Sequence, residues 1–149
     1  MTMTPRFSAA ILGASDGLTS LSGVIAGGAA AHIAHGILGR TVLAGALAAT
    51  VSMAGGEMLA QTQTDWGSII AMGLGTLVGA GAPALPLFLG NVAMVGWPLF
   101  VLLLMAALAV VAIGLVRARM THRKPLKSIL QTVAVLLIGS IVGFAMGRM

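Results

Sequence analysis

The sequence predicts an all-α integral membrane protein of five transmembrane helices, on three observations. First, 58% of its 149 residues are hydrophobic and only 7% are charged, with a mean hydropathy of +1.07. A soluble domain carries roughly 25% charged residues, so this chain cannot coat a water-facing surface. Its apolar content also excludes a disordered chain. Second, the apolar residues form five long runs rather than the short alternating segments of a membrane barrel. Only helices and closed barrels satisfy their backbone polar groups in lipid, so these runs read as helices. Third, five of the eight Lys and Arg residues, Arg117, Arg119, Arg123, Lys124 and Lys127, fall between the last two runs.

The whole chain, 1–149, reads as one membrane domain with spans at roughly 7–37, 41–63, 66–82, 90–116 and 128–147. The first follows Arg6, is longer than a bilayer needs and is broken off by Gly39-Arg40. It loosely imitates a signal peptide, with Arg6 ahead and Ala29-Ala30-Ala31 behind. Asp16 interrupts the would-be apolar region, however, which is also too long, so the segment is expected to be retained. The second span ends in the polar run from Gln61 to Asp65, a short turn in which Asp65 is expected to be solvated. Pro83 and Pro86 are expected to end the third. Asn91 opens the fourth as a cap, and the basic run from Arg117 to Lys127, with His122 as an ordinary surface residue, separates it from the fifth.

Orientation follows from the positive-inside rule. The basic connection lies in the cytoplasm; five spans then put the N-terminus inside, in agreement with Arg6, and the C-terminus outside. Only Arg40 and Arg148 fall on the far side. The net charge of +5 is therefore an orientation signal directed at lipid headgroups. No aromatic residues are interleaved with it, so a nucleic-acid partner is not expected.

Small residues mark where helices meet. Gly139, Gly143 and Gly147 are spaced by four, as are Gly23 and Gly27, and Gly75 and Gly79. Such stripes let helix backbones approach in lipid. They serve packing within the chain or between two copies. A five-span unit of this size encloses a polar pathway with difficulty alone, which favours a homodimer.

Two ionisable residues lie inside the spans, where each is costly and marks a functional site by default. Asp16 is nine residues into the first span, roughly 13 Å deep. Met53, ten residues from the cytoplasmic end of the second span, lies at nearly the same depth. Glu57 lies one turn nearer the cytoplasm and shares a helix face with Met53. The two spans are antiparallel neighbours, so Asp16, Met53 and Glu57 can line one polar track. Carboxylate oxygen and thioether sulfur form a mixed ligand set suited to a borderline divalent ion, Fe²⁺ or Mn²⁺, rather than Ca²⁺ or Mg²⁺. The same carboxylates can carry protons. Plainer roles stand beside this: packing for Met53, as for Met72, Met94 and Met105; a protonated structural hydrogen bond for Asp16; an interfacial position for Glu57. His32 and His35, one helical turn apart near the outer end, are either a solvated pair or an exit site for metal. No catalytic or phosphate-binding motif appears, cysteine and tyrosine are absent, and no enzyme activity or bound cofactor is expected.

Four stretches resemble the vacuolar iron transporter family. Gly13-Ala-Ser-Asp16-Gly17 through Gly23-Val-Ile-Ala-Gly27 is similar to its first-span signature, and Ser52-Met53-Ala54-Gly55-Gly56-Glu57 to its second. Gly81-Ala82-Pro83-Ala84-Leu85-Pro86 resembles its third-to-fourth connection, and Pro125-Leu-Lys-Ser-Ile-Leu with Ile138-Gly139 to Gly147-Arg148 its final span. They occur in family order over nearly the whole chain. The resemblance implies a five-span homodimer, in a bacterial cytoplasmic membrane here, that exports Fe²⁺ or Mn²⁺ in exchange for protons. It places Asp16 and Met53 on the path between protomers and Glu57 on its cytoplasmic side. Three departures stand out: the metal-collecting helical insert between spans two and three is reduced to Gln61–Asp65, Ala9 replaces a carboxylate, and Met58 replaces an aromatic residue. Two other functions fit the same residues: a proton-coupled exchanger of small organic cations, and a non-transporting membrane scaffold or accessory subunit.

Overall fold

The computed structural model describes residues 4–88, 97–120 and 124–149. Five helices follow one another, α1 (Pro5–Ala30), α2 (His35–Ala60), α3 (Trp66–Phe88), α4 (Trp97–Met120) and α5 (Pro125–Gly147). Among the described residues there is no strand. Four helices contain stretches long and apolar enough to cross a membrane: Pro5–Ala30, Gly36–Ala60, Trp66–Leu85 and Pro125–Gly147. The expected roles of Asn91, Met94 and His122, and the position of Arg123, lie outside the described residues.

The helix ends differ from the expected spans in instructive ways. The first turn is at residues 31–34 and not at Gly39-Arg40. It is made by His32, whose φ of 54° is in the left-handed region that histidine tolerates better than most residues. The amides of Ala31, His32 and Ile33 bond back to the carbonyls of Gly27, Ala29 and Gly28. Gly39 instead lies within α2, facing Leu87 and Phe88 of α3. The α3 helix runs through residues 83–86 to Phe88. Proline there removes backbone donors without stopping the helix, which transmembrane helices tolerate. Prolines do act as starters, at the first position of α1 and α5, where the missing N–H is no loss. Finally α4 continues past 116, so that Arg117 and Arg119 sit in its last turn, where cations favour the helix dipole.

Helix α1 is the axis of the bundle. On one face Gly13 and Gly17 press against the carbonyls of Met72 and Thr76 in α3, while Gly75 and Gly79 of α3 press against those of Ala10 and Ala14. On another, Gly143 and Gly147 of α5 meet the carbonyls of Gly23 and Gly27. A Cβ on any of these would overlap backbone, so the stripes serve contacts within the chain. In both pairs residue numbers rise together, so α1, α3 and α5 are parallel. Helix α2 is antiparallel to α3, since Gly39 lies by Phe88 and Gly73 by Thr50. Helix α4 turns back onto α5 with Gly114 against Ile129, and its Val110 and Ile113 cluster with Leu18 of α1. Arg6, Asp65, Arg117, Arg119, Lys124 and Lys127 therefore gather at one end of the bundle, and Arg40 and Arg148 lie at the other. Leu21, Leu38, Val42, Ala46, Ala80, Ala84 and Leu87 form the core between α1, α2 and α3. Large apolar side chains cover the outside, with Leu59 83% and Val51 73% exposed, a surface suited to lipid and not to water.

Candidate functional site

Two pockets open between the helices at the basic end. The inner one, of about 200 Å³, exists because α1 and α5 diverge. They are in backbone contact at Gly143 and Gly147, but a Cβ at Gly139, one turn nearer the pocket, would lie 3.6 Å from the Thr19 carbonyl. Leu12, Ser15, Asp16 and Thr19 of α1 face this gap. Their spacing puts them on one side of the helix, turned from the Gly13 and Gly17 face that α3 covers. Met53 of α2, Arg117 of α4, and Thr132 and Val135 of α5 complete the wall. Asp16 is half-buried, and its Oδ1 accepts a long hydrogen bond, 3.4 Å, from Ser20 one turn along its own helix. The Thr19 hydroxyl is spent on the carbonyls of Ser15 and Asp16, and buried Thr132 donates to the Ser128 carbonyl. The carboxylate of Asp16 and the thioether of Met53 thus share one small cavity, as the depth of each in its helix predicts.

The outer pocket, of about 440 Å³, lies between the start of α1, the end of α2 and the start of α3. Glu57, Gln61, Asp65, Ser68 and Met72 line it opposite Pro5, Ser8, Ala9 and Leu12. Glu57 is held firmly. Its Oε1 accepts the Ser68 hydroxyl at 2.6 Å and the Gln61 amide at 2.8 Å, and Gln61 Oε1 accepts the Asp65 backbone N–H at 2.7 Å. The chain is continuous from the turn to the carboxylate, and Ser68 within it is buried. Leu12 belongs to both walls and stands between the pockets. Asp16 and Met53 are therefore brought together, and Glu57 is set in the adjoining outer chamber.

Asp65 is solvent-exposed, as expected, and is also ion-paired. The Arg6 guanidinium lies 3.2 Å from its Oδ1, tying the start of α1 to the α2–α3 turn. Its Oδ1 also accepts the Gly67 N–H, and its carbonyl accepts those of Ser68 and Ile69, which caps α3. A side chain at position 67 would collide with the Arg6 guanidinium, so glycine there leaves Arg6 its path. The hydrogen bond from Arg6, helped by the Gly67 amide, holds the Asp65 carboxyl below the usual aspartate range.

His32 is exposed in the α1–α2 turn and His35 is the first residue of α2. The single helix assumed for the pair ends before either, so they do not share a helix face. Among the described residues no three His, Asp or Glu side chains are grouped to hold a metal ion.

Sequence reasoning missed Arg117 as a pocket residue, because its place in a basic run explained it as an orientation signal. It also missed Ser68, which is eleven residues from Glu57 across a turn. No protein-family model matches the chain, and no curated protein matches it.

Proposed function

We propose that this chain is a five-span transporter for a divalent transition-metal ion, Fe²⁺ or Mn²⁺, in a bacterial cytoplasmic membrane. It works as a homodimer, carries the ion out of the cytoplasm from the basic end of the bundle, and exchanges it for protons. It stands with the vacuolar iron transporter family as a member without the cytoplasmic insert. The observation that carries this reading is the shared pocket of Asp16 and Met53, a half-buried carboxylate and a thioether residue on apolar helices. A carboxylate within a membrane-spanning helix is costly and is kept for a purpose by default. Paired with a soft sulfur donor it favours a borderline divalent ion over Ca²⁺ and Mg²⁺.

Five alternating crossings are supported by the parallel run of α1, α3 and α5, which obliges α2 and α4 to return. The outer pocket serves as a vestibule. The Arg6–Asp65 pair is neutral there, so Glu57 leaves a net negative charge that concentrates cations. One protomer offers the inner pocket one carboxylate and one thioether, fewer than the four to six donors such ions take. A second copy and water supply the remainder.

The test is flux into proteoliposomes holding a metal-quenched dye, with Fe²⁺, Mn²⁺, Ca²⁺ and Mg²⁺ offered separately and a pH gradient on or off. Quenching by Fe²⁺ or Mn²⁺ that disappears in both Asp16→Ala and Met53→Ala is expected. Normal flux in both variants would sink the proposal. A response to the gradient establishes proton exchange.

A further inference from the structure

We propose that Ser15 is a third ligand of the inner pocket: its hydroxyl oxygen joins the Asp16 carboxylate and the Met53 thioether in holding the ion. The inference rests on reading that pocket as a cation site. Leu12, Ser15, Asp16 and Thr19 line it from α1. Their spacing describes one helix face, with Ser15 and Asp16 side by side at its middle. Three hydroxyl residues line the pocket, and two are already committed. Thr19 donates to the carbonyls of Ser15 and Asp16, and Thr132 donates to that of Ser128. Among the described residues the Ser15 hydroxyl has no hydrogen-bond partner, and Asp16 accepts a side-chain bond on Oδ1 but none on Oδ2.

A hydroxyl on an apolar helix has a ready partner in the carbonyl one turn back. Ser22, Thr41, Thr50 and Thr76 all take it, bonding to Leu18, Ile37, Ala46 and Met72. Ser15 does not bond back to Ile11 in this way, so its oxygen keeps its lone pairs for whatever enters the pocket. Serine is also a poorer helix former than the alanine before it, so the helix itself gains nothing from it. Bound to a divalent ion, the hydroxyl is a neutral oxygen donor that retains its proton. Asp16 supplies the negative charge and Met53 the soft sulfur. Ser15 and Asp16, on one wall, can approach the same ion together. Each protomer then contributes three donor atoms in place of two, and fewer waters must be immobilised around the ion.

The experiment titrates the purified full chain with two ions. Mn²⁺ is followed by loss of its free electron paramagnetic resonance signal, and Cd²⁺ by the ultraviolet sulfur-to-cadmium charge-transfer band. Wild type, Asp16→Asn, Ser15→Ala, Ser15→Cys and the double variant Ser15→Cys/Asp16→Asn are compared. The chain has no cysteine, so the introduced thiol is the only one. Wild-type Mn²⁺ binding that Asp16→Asn abolishes is expected. Ser15→Ala weakens it by about tenfold while the thermal midpoint without metal stays unchanged. Ser15→Cys replaces a hard donor with a soft one. Mn²⁺ then binds about tenfold more weakly and Cd²⁺ about tenfold or more tightly than in wild type, the thiol passing its proton to solvent. The cadmium band is lost from the double variant, because thiolate and carboxylate hold one ion. Should Ser15→Ala disturb packing, the cadmium arm still decides. Unchanged Mn²⁺ affinity in Ser15→Ala, or a cadmium band that persists at equal affinity in the double variant, would each overturn the role of Ser15 while leaving the cation site standing. Wild type that binds no Mn²⁺, or binds it equally in Asp16→Asn, would overturn the site itself and this inference with it.

Discussion

Glu57 and Asp16 are both carboxylates on apolar helices, and adjoining pockets hold them in opposite ways. Glu57 is engaged by Ser68 and Gln61 at 2.6 and 2.8 Å, in a chain of bonds that begins at the turn backbone. Asp16 has one long bond, to Ser20 on its own helix. A carboxylate already bonded to neighbours is a fixed element of field and shape. One that is loosely held keeps its lone pairs for a visitor. The charges differ as well: the outer wall carries Glu57 and the paired Asp65, whereas the inner wall carries Asp16 and Arg117. On the proposed transporter reading, the contrast gives attraction to the outer chamber and binding to the inner one.

The comparison can be broken most decisively at Asp16. Asp16→Asn is expected to bring Mn²⁺ flux in proteoliposomes down to the level of empty vesicles, because no other carboxylate lines the inner pocket. Residual flux above a tenth of wild type would mean that the outer pocket is the binding site. Next in size is Gly143→Leu, which drives a side chain into the Gly23 carbonyl and prises α1 from α5 on the inner pocket's side. Overpacking of this kind costs about 1–3 kcal/mol or more. It should lower the thermal unfolding midpoint in detergent far more than Gly139→Ala, whose Cβ has room. Equal midpoints would mean that the stripe is not a tight contact.

Glu57→Gln sharpens the contrast from the other side. It keeps the shape of the outer network but removes its charge, so flux is expected to fall by about tenfold through a raised KM, with the maximal rate nearly intact. A loss in maximal rate would give Glu57 a direct part in translocation. Smallest of all is the Arg6–Asp65 pair, which is solvent-exposed on both sides. The carboxyl of Asp65 is lowered below 3.8 in the folded chain, so its stabilising effect is fully present above that value. It is lost only as pH falls through the lower folded value. The small difference in thermal midpoint between wild type and Asp65→Asn should therefore be the same at neutral and at mildly acidic pH. A difference that grows with pH in that window would contradict the pairing.

Much of the fold was readable without coordinates. Spans placed at 41–63, 66–82 and 128–147 overlap α2, α3 and α5 closely, since about 20 apolar residues in a row admit only a helix in lipid. What misled was local punctuation. Gly39-Arg40, Pro83 and Pro86 are turn signals in water, where a broken helix is rescued by solvent. The true turn at His32 carries no such mark, because histidine adopts its left-handed conformation without announcing it. Asp16 and Met53 were matched by counting turns from the same membrane face, and this worked because depth in a helix is linear in residue number. Lateral position is not. Whether Glu57 faces Met53's cavity or the next one depends on how α1 and α3 cross, and the distant Gly13, Gly17, Gly75 and Gly79 decide that.

The sequence by itself determined that this is a helical protein made for a bilayer, which end is basic, and which two side chains at one depth offer an oxygen and a sulfur. These are properties of composition and of rise per residue, independent of partners. Only the tertiary structure decided that α1 lies between α3 and α5, that the glycine stripes are spent inside the chain, and that Arg117 enters the Asp16 pocket while Glu57 is bonded to Ser68. Those outcomes depend on the rotation and tilt of each helix against its neighbours. Steric contact between residues far apart in the chain sets both, and no local pattern encodes them.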